Sequence, residues 1–198
     1  SRGLGDVYKR QIGIGFLVGS LCGYLLQSKY KIGKAIAEVY IWIIRATPLM
    51  VQALYGYFVI PKLMGVDISS TIVGIGVIAL NSGAFISEIV KGALMGIDPG
   101  QKEAGASLGL TSAQTMIHLV IPPAFKAALP VLFNQFIISV KDTALLSAIA
   151  VNEITHQAQA YAALSFKAIP TYTALAAFYL VILSVLIIVQ KQIERKMR

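Results

Sequence analysis

Charge is what this chain has least of. Of its 198 residues only 13% are Asp, Glu, Lys or Arg, while 57% are hydrophobic; an ordinary soluble domain carries about 25% charged residues. A chain this short, folded in water, exposes much of its surface and needs charge to cover it. The shortage points instead to a lipid-facing surface, and the mean hydropathy of +0.74 agrees. There is one cysteine, Cys22, inside an apolar run, so an intrachain disulfide is excluded. The two histidines, His118 and His156, lie far apart without ligand-spaced neighbours, and no metal site is expected. No G-x-x-x-x-G-K-[ST] stretch occurs, so the chain does not cradle nucleotide phosphate as a P-loop does. Acids are scarcer than bases, 9 against 17, for a net charge of +8. Such a balance raises nucleic acid as a partner, but no basic face, finger spacing or aromatic-basic interleave appears. The bases sit between and beyond apolar segments, as on the cytoplasmic flanks of membrane helices.

What is present is a series of apolar runs, to be judged against the roughly 20 residues that cross a bilayer. Five candidate spans emerge, at residues 12–26, 39–60, 71–90, 127–150 and 172–189. The first is short, rising only about 22 Å as a helix, and its Gly15, Gly19 and Gly23 share one face. SRGLGDVYKRQ before it is a poor continuation of a lipid-facing helix. Residues 1–11 are therefore expected to be a foreign or disordered start to a single transmembrane domain over 12–198, its first helix truncated. The expected fold is an all-α integral membrane protein with five transmembrane helices.

Loop charges orient the chain. With 27–38, 91–126 and 190–198 inside, Lys29, Lys31, Lys34, Arg45, Lys91, Lys102, Lys126, Lys191, Arg195, Lys196 and Arg198 lie on or near that side, whereas the outer loops hold Lys62 and Lys167. The positive-inside rule then places the carboxyl end and 91–126 in the cytoplasm. Within that loop, Asp98-Pro99 can start a helix, and PGQKEAGASLGL reads as a short helix broken near Gly109. Thr111 or Ser112 can cap the next turn. The small residues Ala104, Gly105, Ala106 and Ser107 allow close approach of another surface, which marks a docking element.

The spans carry polar residues that need protein, water or a partner charge around them. Asn81 and Glu88 are two turns apart on one face with Ser82 beside Asn81, a candidate substrate path or subunit seam. Glu88 also has Lys91 at i+3. Lys141 and Asp142 are adjacent, about 100° apart on a helix, and are expected to brace different neighbours. Arg45, Thr47, Pro48 and Gln52 open the second span: Pro48 should kink or start it, Arg45 can reach head groups, and Gln52 is placed to satisfy a freed carbonyl. Pro122 and Pro123 mark entry to the fourth span, and Pro130 predicts a bend within it. The basic tail QKQIERKMR is expected to anchor the last helix at anionic head groups.

The loop Glu103-Ala104-Gly105, Gly109, then Leu119-Val120-Ile121-Pro122 resembles the cytoplasmic signature of binding-protein-dependent ABC transporter permeases. IRATPLMVQ, NSGAFISEIVKG, GQKEAGASLG, IPPAFKAALP and KDTALLSAIAVNE are similar, in order, to the polar amino acid uptake branch. Departures are Ala46 for Gly, Lys91 for Arg, Gly105 for Ala, Leu119 and Ile121 exchanging the usual Ile and Leu, Pro123 for Gln and Ala144 for Ser. Gly105 is expected to loosen its helix by up to about 1 kcal/mol relative to Ala. The resemblance implies a type I importer permease with short cytoplasmic coupling helices in a prokaryotic inner membrane. It implies two ATPase subunits that use ATP-Mg, a second permease identical or homologous, an extracytoplasmic solute-binding protein, and a polar amino acid as substrate. Glu103, Ala104, Gly105, Gly109 and Pro122 would couple to the ATPase, and the chain itself would bind no cofactor. An ion-coupled secondary transporter and a non-transporting membrane scaffold are the alternatives; neither needs the docking loop.

Overall fold

The structure, a computed structural model, describes residues 31–197. The span at 12–26, Cys22 and the start at 1–11 lie outside the described residues. Among the described residues the chain is helical with no strand. Helix α1 covers Lys31–Ala46 and α2 Leu49–Leu54, which continues through a π turn, Tyr55–Val59, into α3, Ile60–Met64. Then come α4 (Ser70–Met95), α5 (Gly100–Ser107) and α6 (Ser112–Thr115). A second π turn, Met116–Val120, leads into α7 (Ile121–Asp142), which runs on as a 3-10 segment, Thr143–Ile149. Helices α8 (Ile154–Ser165) and α9 (Ala168–Met197) complete the fold.

Among the described residues, three helical rods are long and apolar enough to cross a membrane: Ser70–Met95, Ser112–Ile149 and Ala168–Lys196. They contain the expected third, fourth and fifth spans. The second span, expected over 39–60 with Pro48 kinking or starting its helix, is broken at that proline. The chain bends by 107° between Lys31–Ala46 and Leu49–Met64, and the two pieces together make at most one further span. The break falls where Pro48 lacks an N–H and disfavours the helical region for Thr47. Pro48 is extended, with φ −63° and ψ 139°, and Leu49 begins the new helix.

Three prolines further on are handled differently. Pro61 and Pro122-Pro123 sit in the first turn after a π turn, and each π turn closes with an i→i+5 bond, Ile60 N–H to Tyr55 O and Ile121 N–H to Met116 O. The wider turn absorbs the missing donor and the ring's demand for space, so helicity continues. The helical rod that contains the fourth span consequently starts fifteen residues before its apolar run at 127, in the loop itself, at Ser112.

The core is built where α2 and α4 meet the 3-10 segment, from Ala53, Val73, Ile78, Leu146, Ile149 and Val151. A Cβ on Gly74 would lie 2.9 Å from Leu146 Cδ1, so the segment seats directly on the α4 backbone. A second cluster, Ala37, Ile41 and Ala84, fastens α1 across α4. Among the described residues no side chain in the most apolar stretch of α9 is fully buried, although Tyr179, Leu183 and Leu186 are half-buried. A largely open stretch of mean hydropathy 2.5 belongs against lipid or another subunit.

Candidate functional site: the loop hairpin and the polar braces

The loop at 98–115 folds as two short helices around a tight corner. Asp98 Oδ1 accepts from Gly100 N–H at 2.8 Å, and Pro99 precedes the first turn of α5, as the Asp-Pro start predicts. At its end Gly109 is left-handed, with φ +73°. Leu110 N–H donates to Gly105 O and Gly109 N–H to Ala106 O, both at 3.0 Å. These are the 6→1 and 5→2 bonds of a Schellman termination. Thr111 then caps α6: its hydroxyl accepts from Gln114 N–H at 3.3 Å, and Gln114 Oε1 accepts from Thr111 N–H at 2.9 Å. The pair forms a capping box.

Glu103, Ala104, Ala106, Ser107 and Leu108 are exposed, and Leu108 is 74% open. The loop therefore presents one acid, small residues and an uncovered leucine beside the Gly109 turn. Gly105 is the exception, buried against α6. A Cβ there would meet Thr115 Oγ1 and come to 2.5 Å from Thr115 Cγ2 and 3.0 Å from its Cβ. Helix propensity alone counts Gly105 as a weakness, but the missing methyl is also what lets the two helices close. Pro122 is exposed in the first turn of α7, directly beyond the second π turn.

A second group of polar residues braces the 107° bend. Gln52 Nε2 donates to Ile44 O at 2.8 Å, Thr47 O at 3.0 Å and Thr47 Oγ1 at 2.9 Å, so its amide satisfies carbonyls freed at the break, as its place beyond Pro48 predicts. Thr47 Oγ1 donates in turn to Ile43 O at 2.8 Å. Gln52 Oε1 accepts from Asn81 Nδ2 at 3.4 Å, which ties the elbow to α4. Ser82 shares a 2.9 Å hydrogen bond with Ser139 of α7. Asn81 and Ser82 are both buried, and the bonds they make lie between helices of this chain.

Arg45 does not simply extend to head groups. Its guanidinium lies 3.0 Å from Glu88 Oε2 and 6.0 Å from the centre of the Phe85 ring. Lys91 Nζ is 3.9 Å from the other Glu88 oxygen. Glu88 thus carries two cations, one from the helix before the bend and one from its own. With Trp42, these side chains line a groove of about 410 Å³ between α1 and α4. Lys141 and Asp142 stand at the end of α7, and neither is in an ion pair among the described residues.

Sequence reasoning missed Thr115, Ser139 and Glu153. Glu153 is buried, 3% exposed, and caps α8 by accepting from Thr155 N–H at 2.7 Å and His156 N–H at 2.5 Å. Its signals were its place at the end of KDTALLSAIAVNE and immediately before the helix ITHQAQAYAALS.

This arrangement has counterparts. Residues 15–198 match the family described as the binding-protein-dependent transport system inner membrane component. The chain belongs to that family. Similar proteins include the glutamine transport system permease protein GlnP of Escherichia coli (strain K12), 38% identical over 93% of this chain and 84% of that protein. The arginine transport system permease protein ArtQ of Bacillus subtilis (strain 168) is 30% identical over the same shares. A crystal structure of an amino acid ABC transporter with histidines superposes with a TM-score of 0.91 at 34% identity, covering 96% of this chain and 89% of that one. An inward-facing MetNI methionine ABC transporter, 18% identical over 100% of this chain and 95% of its own, shares the fold at a TM-score of 0.77. The chain is thus a multi-pass membrane subunit of an ABC importer permease fold. In this binding-protein-dependent family, ATP hydrolysis is done by a separate ATPase subunit and solute is delivered by a binding protein.

Proposed function

We propose that this permease imports polar amino acids, and that the hairpin at 98–115 is the element through which an ATPase subunit moves it. Glutamine and arginine permeases among its relatives support the substrate class. The coupling role rests on one observation above all: a loop outside the apolar spans is held rigid by a Schellman turn and a capping box, yet leaves Glu103, Ala104 and Leu108 uncovered. A loop that served only to connect α4 to α7 would not need two terminations within seven residues of one another.

On this reading Glu103 offers negative charge to basic or N–H groups of the ATPase, Gly109 sets the corner, and Pro122 marks where the loop's motion enters the long α6–α7 rod. That rod transmits the motion rigidly to Ser139, Lys141 and Asp142 and to the 3-10 segment in the core. The assembly is two permease chains, identical or related, with two ATPase subunits that consume ATP-Mg and one solute-binding protein on the far face. Residues 91–126 and the carboxyl end face the cytoplasm, in keeping with the basic residues there. Glu88 keeps 34% of its side chain open, so it is the path candidate with surface left to meet a second subunit or a substrate amino group.

Reconstitution tests this. Proteoliposomes holding the permease, its ATPase and its binding protein should take up labelled glutamine or arginine only with ATP. Glu103→Ala should reduce uptake together with ATPase recruitment. Uptake that follows an ion gradient and ignores ATP would refute the proposal, as would labelling of a Glu103→Cys variant from the outer face.

A further inference from the structure

We infer that Gly105 and Thr115 form a steric lock that sets the spacing of α5 and α6, and that this spacing, more than the helicity of either piece, is what the ATPase groove reads. The inference rests on the hairpin's coupling role proposed above. Gly105 is the point where the corner is held twice. Its carbonyl accepts the 6→1 bond from Leu110 at 3.0 Å, which fixes where the corner begins. Its bare Cα is pressed against Thr115, with any added Cβ 2.5 Å from Cγ2 and 3.0 Å from the Thr115 Cβ. Side-chain rotation cannot relieve the second distance, because that atom is attached to the α6 backbone. The helices must therefore move apart to admit a methyl group.

Thr115 is itself buried, at 7% exposure, and ends the four-residue helix that the Thr111–Gln114 box anchors. It has little freedom to retreat, and beyond it the π turn passes any displacement directly into α7. Gly109, by contrast, has nothing within 4 Å of a built Cβ. The two glycines thus act differently: Gly109 permits a backbone angle and Gly105 permits a distance. Helix propensity alone favours alanine over glycine inside α5, so an isolated-helix view and the lock give opposite signs for Gly105→Ala. Pairing also accounts for glycine standing here in a signature that more often carries alanine. Thr115 occupies the volume an alanine methyl would fill.

The test uses the full complex in proteoliposomes, comparing Gly105→Ala, Gly105→Ala/Thr115→Ala and Gly105→Ala/Thr115→Val. Three readouts are taken: uptake, ATP hydrolysed per molecule transported, and ATPase subunit retained on the solubilised permease. Gly105→Ala should lower ATPase retention and uptake by about tenfold, a size usual for directly coupled pairs, with more ATP hydrolysed per molecule carried. Thr115→Ala in the same chain should restore all three to within about threefold. Thr115→Val, which keeps the branched bulk, should not. Rescue by valine, no rescue by alanine, or an undiminished single variant would each overturn the lock. If Gly109→Val in parallel also leaves uptake intact, the hairpin is not the coupling element and the wider reading fails. If Gly109→Val abolishes uptake while Gly105→Ala is silent, only the lock fails.

Discussion

Replacing Gly109 isolates one term in the energetics of this loop. Its φ of +73° is left-handed, and an L-residue with a Cβ is about 1–2 kcal/mol less stable there. A built Cβ meets nothing within 4 Å, so inside this chain the effect of a side chain is all backbone and no packing. If docking requires the Schellman corner, 1–2 kcal/mol lowers the competent population by about 5–30-fold. Valine adds β-branched crowding and should fall at or beyond the upper end. Asparagine tolerates the left-handed region better than alanine does, although it is larger. The expected order of ATPase affinity, measured by titrating purified ATPase onto permease in nanodiscs, is Gly, then Asn, then Ala, then Val. Steric interference with the ATPase would reverse Asn and Ala. That reversal, or wild-type affinity and uptake for Gly109→Val, would refute the backbone argument.

Other contacts give separate expectations. Gln52→Leu leaves the Ile44 and Thr47 carbonyls without their shared donor and should destabilise the chain by about 1–3 kcal/mol, read as a lower midpoint of thermal unfolding in detergent. Glu153→Ala removes the buried α8 cap and should lose about 0.5–2 kcal/mol in the same assay, with Glu153→Asp or Glu153→Ser recovering part of it. A double-mutant cycle on Arg45→Ala and Glu88→Ala should give a coupling of only about 0.2–1 kcal/mol, because both side chains are substantially open. A stability coupling well above that range would mean that the bend, and not surface attraction, depends on this pair.

Local chemistry was read correctly from sequence where a residue's own backbone demanded it. Asp98-Pro99, the break at Gly109, the cap at Thr111 and the amide of Gln52 beyond Pro48 all depend on atoms within a few residues. The apolar runs that became α4 and α9 were equally plain. What sequence hid were the distances between elements. Pro48 announces a break, but its 107° angle is held by Tyr40 on the Leu80 carbonyl and by Ala37 and Ile41 on Ala84, all some forty residues away. Gly105 looked like a loss of helix propensity until Thr115 appeared opposite it. Ser82 was read as a candidate for the path or a subunit seam, and nothing near it in sequence pointed to the hydrogen bond its hydroxyl shares with Ser139, 57 positions later. The early start of the rod that contains the fourth span was invisible because tandem prolines ordinarily end a helix, and here the π turn carries them.

That wide turn before Pro122 also determines which way everything after it points. One additional residue in a single turn rotates the downstream helix by about 100° relative to an uninterrupted one. Removing one residue from 116–120 would swing Ser139 and Ala128 off their neighbours, as a key is turned out of its wards, without altering any side chain along α7. The azimuth of the long rod is therefore stored in one loop of backbone at the hairpin's exit, far in sequence from the contacts it aligns.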